Sequence, residues 1–340
     1  MKPLVVAVFS CMTMAAAAAR SRADCPFTPV PRGVTCYPLA EGEDLRGITM
    51  DEENDRIYIA GGSAQKVFRV DVTAHSATWT SWDTDRPLAF IAPDDPFVWA
   101  NSYYTDTLFR VDTRDGSIDY PDFPGEDTAV MHGPLGLQVL DGVLWVAFHD
   151  GHTSGSVARL DPDTMEVLCE PNRLDKECPL QVGPSGGGGP NALVATPSGV
   201  WVSVPGFAQV IRIDPADGTL VAAIPTGASC DQLTVTGDSV YIASGDPECG
   251  PPGVRRIDVA TNLVDAAPVY TGGAVGVAAG FGSIWVSDSD RQVLVRIHPA
   301  TRAIIGELSI PAISHLAVGF GSLWAITGTG YLVRLEPGRI

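Results

Sequence analysis

One phrase returns along this chain at near-constant spacing, and it restricts the possible folds more than any other feature. The run GVAAGFGSIWVSDSDRQVLVRIHPATRAI begins at Gly276. It returns as HLAVGFGSLWAITGTGYLVRLEPGRI from His315 and as ALVATPSGVWVSVPGFAQVIRIDPADGTL from Ala192. Weaker copies start near Gly47, Phe90, Leu135 and Gln232. Each copy carries an anchoring aromatic in its second strand: Tyr58, Trp99, Trp145, Trp201, Tyr241, Trp285 and Trp324, at intervals of 41, 46, 56, 40, 44 and 39 residues. A period near forty residues with one anchoring aromatic per unit is the signature of a four-stranded propeller blade.

Within a copy the grammar is that of strands. A short aliphatic strand leads to a tight turn such as Gly280-Phe281-Gly282-Ser283, then to a β-rich run such as Ile284-Trp285-Val286, then to a variable loop. The third strand ends on an Arg-aliphatic-Asp triplet (Arg69 to Asp71, Arg110 to Asp112, Arg159 to Asp161, Arg212 to Asp214, Arg256 to Asp258), with His298 and Glu336 in the Asp place of the last two copies. Asp before Pro or Thr closes turns through its carboxylate. The Arg row is either a binding stripe or a structural element; its recurrence in every copy favours the structural reading, because ligand sites break repeat symmetry. The seventh copy ends without a fourth strand, while Val34 to Leu39 resembles the fourth strands at Leu220 to Pro225 and Ile304 to Pro311. The expected fold is therefore all-β, a seven-bladed β-propeller closed by an N-terminal strand that completes the last blade. Closure removes sheet edges that would invite aggregation.

The first residues read as a secretory signal: Lys2, an apolar run from Leu4 to Met14 and five alanines, with cleavage after Ala19 or Ala23. Residues 1–23 are assigned to it and 24–340 to a single propeller domain. The alternative is a lipoprotein signal leading into Cys11. No other apolar run approaches the ~20 residues of a membrane-spanning helix. With Cys11 removed, six cysteines remain in an oxidising compartment, periplasmic or extracellular, and proximity pairs them as Cys25–Cys36, Cys169–Cys178 and Cys230–Cys249. A metal or thiol site would require CxxC-like spacing or a lone cysteine near a base, and neither occurs. With 22 basic and 40 acidic residues the net charge is −18, which repels phosphate backbones and excludes non-specific nucleic-acid binding.

The repeated phrase, Gly-aliphatic, then Gly-x-aliphatic-Trp-Val, then Val-x-Arg-Ile-Asp-Pro, resembles YVTN/NHL-type propellers and within them the streptogramin lyase (virginiamycin B lyase)-like repeat proteins. The likeness spans residues 34 to 336. It implies a propeller that is an enzyme, a sensor or an interaction platform. Streptogramin lyases use His and Glu residues with a magnesium ion on one face, and their second strands typically end in Trp-Phe-Thr-Glu. This chain departs from that pattern, reading Trp285-Val286-Ser287-Asp288, Trp201-Val202-Ser203-Val204 and Trp145-Val146-Ala147-Phe148. Gluconolactonase-type propellers share the architecture, but their ligand set has no residue-by-residue match here.

Propeller wiring places the loops before first strands and those between second and third strands on one face. That face receives Arg46, Arg86, His132, Asn191, Asp231 and His315 from the first group, and Tyr103, Tyr104, His149, Asp150, His152 and Asp288 from the second. Variable loops on a rigid scaffold are where function concentrates. Three imidazoles and a carboxylate in the third copy (His132, His149, Asp150, His152) form a candidate set for a divalent metal, or a polar loop with solvated histidines. His132, His149 and His315 are the candidate catalytic bases. Arg46, Arg86, Tyr103, Asn191, Asp231 and Asp288 are candidate ligand contacts, although Asn191 and Asp231 also suit strand capping. The Gly186–Gly189 run precedes no helix, so it is no phosphate loop, and the common hydrolase and EF-hand motifs do not occur. Two functions remain: an exported monomeric scaffold binding a protein, peptide or glycan without a cofactor, and a metal-dependent lyase or lactone hydrolase.

Overall fold

The computed structural model describes residues 25–74, 76–121, 133–149, 155–168, 180–182, 188–227, 232–245 and 250–339. These residues form 28 strands in seven four-stranded antiparallel sheets. Six sheets are built from four consecutive strands. In the seventh, Val34–Pro38 pairs outside Tyr331–Leu335, with Val34 opposite Leu335 and Pro38 opposite Tyr331. The inner strands (Leu45–Asp51, Ile91–Asp94, Pro134–Leu140, Leu193–Thr196, Leu233–Thr236, Ala274–Gly280 and Ile313–Gly319) each touch the next, and the last touches the first. The sheets therefore close into a seven-bladed ring around a central channel.

The anchoring aromatics are what fasten blade to blade. Trp99, Trp145, Trp201, Trp285 and Trp324 are at most 1% exposed, and each joins the apolar cluster of the following blade. Trp285, for example, packs among Leu316, Leu323 and Val333 of blade seven. Tyr58 and Tyr241 fill the same place in blades one and five. Burying an indole removes about 200 Å² from water, so each wedge stabilises its interface by several kcal/mol.

The Arg row lies directly opposite these aromatics across the second and third strands, as in Trp201↔Arg212 and Trp324↔Arg334. Each guanidinium stacks over its indole, 4.9 Å from centroid in the first pair and 5.3 Å in the second. Its outer nitrogens then donate to a turn carbonyl of the next blade. Arg110 reaches Pro162, Arg159 reaches Ala216, Arg212 reaches Val259 and Arg296 reaches Pro337. Arg334 closes the circle on Thr73 and Ala74 of blade one. Blade five differs: Arg256 stays with Asp265, and Arg302 of blade six reaches back to Ala267. The row is structural, and it repeats because every interface but that after blade five uses the same bond.

Asp carboxylates close the turns after the third strands. Asp161 accepts from the Asp163 and Thr164 amides, and Asp258 from Ala260 and Thr261. In blade six His298 does this work, its Nδ1 accepting from the Thr301 amide at 3.2 Å. The Gly-Phe-Gly-Ser hairpins place both central residues at positive φ (Phe281 54°, Gly282 66°), which matches the twist of the flanking strands.

Of the expected disulfides, Cys25–Cys36 is present with its Cα atoms 5.1 Å apart, and it ties the segment before Val34–Pro38 to the closing strand. Cys169–Cys178 and Cys230–Cys249 lie outside the described residues, as do residues 1–24. No described helix is long and apolar enough to cross a membrane.

Candidate functional site

The channel holds a cavity of about 400 Å³ lined by all seven inner strands, with Gln138, Gln232 and His315 among its walls. Its polar end is shaped by β-bulges. The ladder of blade one shifts between Leu45 and Gly47, that of blade seven between Ile313 and Leu316, and that of blade six between Ala274 and Gly276. A bulge re-aims a side chain and frees backbone groups. Arg46 is the extra residue of the first of these, and Ser314 and His315 lie within the second.

Side chains take up the freed backbone groups. Gln232 of blade five reaches two blades on: its Oε1 accepts from the Val277 and Leu316 amides at 3.2 and 3.0 Å, and its Nε2 donates to the Leu316 carbonyl at 2.6 Å. Ser287 donates to the Ser314 carbonyl, and Ser314 to that of Leu45 in blade one. Blades six and seven approach so closely that a Cβ on Gly276 would sit 2.5 Å from the Ser314 oxygen. Gln138 likewise accepts from Ala195 of blade four at 2.7 Å. Sequence reading missed Gln232 and Gln138, since nothing local distinguishes a glutamine that crosses a channel from one in solvent.

Four of the candidates come together at the mouth. The Arg46 guanidinium, 47% exposed, donates through Nε to Asp44 at 2.6 Å. Asp44 is itself fastened to Ser63, and Tyr104 lies near the Arg46 guanidinium. Tyr104, 69% exposed, stands edge-on to Tyr103 at 5.5 Å, and Tyr103 stands edge-on to His149 at 5.9 Å. The His149 Nδ1 lies 3.4 Å from the Pro190 carbonyl. An arc of cation, two phenols and an imidazole thus runs over blades one, two and three. His315 extends it into blade seven. Its ring borders the cavity, while its Nδ1 is enclosed and has no hydrogen-bonding partner among the described residues. Burial and then the nearby Arg46 charge lower its pKa to about 4, so the imidazole is neutral at physiological pH.

The remaining candidates are committed to other partners or lie outside the described residues. Arg86 forms a fork with its neighbour Asp85 (2.5 and 2.6 Å), donates to Thr107 and covers the Tyr120 ring at 4.8 Å. That pairing holds the Asp85 carboxyl at about 2. Asp288 is buried and accepts from the Tyr270 hydroxyl and the Arg291 amide, which fastens the blade-six loop. Asn191 lies two residues before the fourth inner strand, its carbonyl accepting from the Gly136 amide. His132, Asp150, His152 and Asp231 lie outside the described residues. Among the described residues no group of three or more His, Cys, Asp or Glu is placed to hold a metal ion.

No protein-family model matches the chain, and no curated protein matches it in sequence. Solved structures do match in shape. Virginiamycin B lyase from Staphylococcus aureus superposes with a TM-score of 0.67 over 89% of this chain and 98% of its own, at 14% identity. This chain has a streptogramin-lyase-like propeller fold. A streptogramin B lyase structure gives 0.68 at 16% identity over 89% and 98% of the two chains. The extracellular domain of the hybrid two component system BT4673 from B. thetaiotaomicron gives 0.64 at 12% identity, over 90% of this chain and 43% of that one. At such identities the likeness concerns the fold.

Proposed function

We propose that this protein is an exported, monomeric binding propeller whose loop-rich mouth takes a protein, peptide or glycan. The observation that carries this reading is the arc Arg46–Tyr104–Tyr103–His149, which spans three blades and presents the exposed Tyr104 ring, backed by the half-buried Tyr103, beside a cation. An exposed tyrosine stacked against its neighbour offers large contact area with little entropy left to lose, a combination that suits recognition. Placement on the rim of a rigid ring adds to it, since loops on a stiff scaffold recognise without needing to refold. The fold likeness to an extracellular domain and the Cys25–Cys36 disulfide accord with export. Peptide and glycan arrays probed with the mature protein test the reading. Tyr104→Ala and Tyr103→Ala should reduce the signal of any bound ligand at least tenfold while leaving the fold intact. Binding that is indifferent to both would overturn it.

A second reading is a lyase or lactone hydrolase acting at the same mouth, for which a neutral, unpartnered imidazole at His315 is the specific support. A base that is unprotonated at neutral pH and borders a cavity can take a proton from a bound substrate. The fold neighbours include a catalytically inactive variant of virginiamycin B lyase with Quinupristin. In that reading a divalent ion would fall to His132, His149, Asp150 and His152, and metal analysis of the purified protein separates the two. One tightly held ion, lost on His149→Ala, favours the enzyme; metal-free protein with unchanged melting after chelation favours the scaffold.

A further inference from the structure

We infer that the mouth between blades seven and one is a carboxylate-binding site, in which Arg46 and His315 together anchor an acidic group of the ligand; this rests on the loop-rich mouth being the binding face. The starting observation is that His315 Nδ1 is enclosed and unpartnered while its ring borders the cavity. A buried polar atom left without a partner is costly, and where it borders a cavity a ligand can supply the partner. The second observation is Arg46, raised on a bulge of the neighbouring inner strand and half exposed. Asp44 accepts from its Nε–H, one of its five N–H donors, and holds the guanidinium in place. The remaining edge of a fixed guanidinium matches the two oxygens of a carboxylate.

The surroundings explain why an anion, rather than a second cation or a neutral group, completes the site. On a chain of net charge −18, this part of the rim pairs a cation with an imidazole that burial, and secondarily the same cation, keeps neutral. Of the strands packed on Ile313–Gly319, Ala274–Gly280 and Ser322–Thr327 carry no ionisable residue. Ser283–Asp288 contributes Asp288, which is engaged by Tyr270 and Arg291, and Leu45–Asp51 contributes Arg46 and the distant Asp51, bonded to Asn54. Asp44 already balances Arg46. A ligand carboxylate therefore draws a proton onto His315, and the imidazolium N–H completes its hydrogen bonds. Binding and proton uptake are linked, so affinity rises as pH falls.

The test is an NMR titration of the imidazole carbon signals of the mature protein with sodium acetate, against acetamide and against sodium chloride at equal ionic strength. Acetate should shift the His315 signals saturably and raise their titration midpoint by about two pH units, with an apparent Kd that falls roughly fivefold to tenfold from pH 7 to pH 5. Acetamide and chloride should do neither. Arg46→Gln should abolish saturation, and His315→Asn should retain weaker binding without the pH dependence; both are checked for folding by their amide spectra. No saturable shift with acetate, or an equal shift with chloride, overturns the inference. A peptide or glycan that binds the mouth but ignores Arg46→Gln overturns it while leaving the binding reading intact. Acetate binding with no array ligand does the reverse.

Discussion

The His315 imidazole supplies the sharpest quantitative test of how the channel mouth is built. Its pKa is near 4 in the folded chain because burial, and secondarily Arg46, disfavour the charged ring, against 6.5 for the unfolded chain. Above pH 6.5 both states hold the neutral ring and the group has no effect on stability. Between 6.5 and 4 the unfolded chain binds the proton first, so stability falls as pH falls; below 4 the loss is complete. At pH 4.5 these two values correspond to about 2.5 kcal/mol, and the wetted edge of the ring trims that toward about 1.5. His315→Asn keeps a polar side chain but removes the titration. Urea unfolding of both proteins at pH 7 and pH 4.5 should show the native sequence losing about 1.5–2.5 kcal/mol more than the variant. The imidazole signals should titrate near pH 4 in the native protein. A midpoint at or above 6, or equal acid losses in the two proteins, would refute the claim that this ring is enclosed and unpartnered.

Other outcomes follow from the ring's fastenings. Trp285→Ala removes a fully buried wedge between blades six and seven and should lower unfolding free energy by about 3–5 kcal/mol, read by denaturant titration. Gln232→Ala leaves the bulge amides of blades six and seven without their acceptor, a loss of about 1–3 kcal/mol that hydrogen exchange at Val277 and Leu316 would localise. Cys36→Ala opens the loop closed by Cys25 and should cost about 3 kcal/mol, more than chain entropy alone if the buried site stays empty. Arg334→Met keeps the apolar cover over Trp324 but removes the bonds to Thr73 and Ala74. Limited proteolysis should then cut first at the junction of blades seven and one.

The repeat told the fold because each copy must bury the same aromatic and close the same turns, and both demands are written locally. Tyr58 to Trp324 and the Arg-aliphatic-Asp triplets could be read without coordinates, as could the structural role of the Arg row and the likeness of Val34–Pro38 to a fourth strand. Which carbonyl each arginine meets could not be read, since its partner stands 41 to 57 residues away in another unit, and 261 away for Arg334. The face carrying Arg46, Tyr103, His149 and His315 was also legible from propeller wiring. Their assembly into one arc was not: it depends on bulges beside Leu45 and Ile313, where Arg46 and His315 sit on neighbouring inner strands, and on Asp44 holding Arg46 in place. Arg86 and Asp288 look equally suitable in sequence, yet tertiary contacts commit them to Asp85 and to Tyr270. Local periodicity determines which blade a residue belongs to and which end of it faces the loops. Burial and charge, which sum over neighbours distant in the chain, decide whether that residue is a fastener or is left open to a ligand.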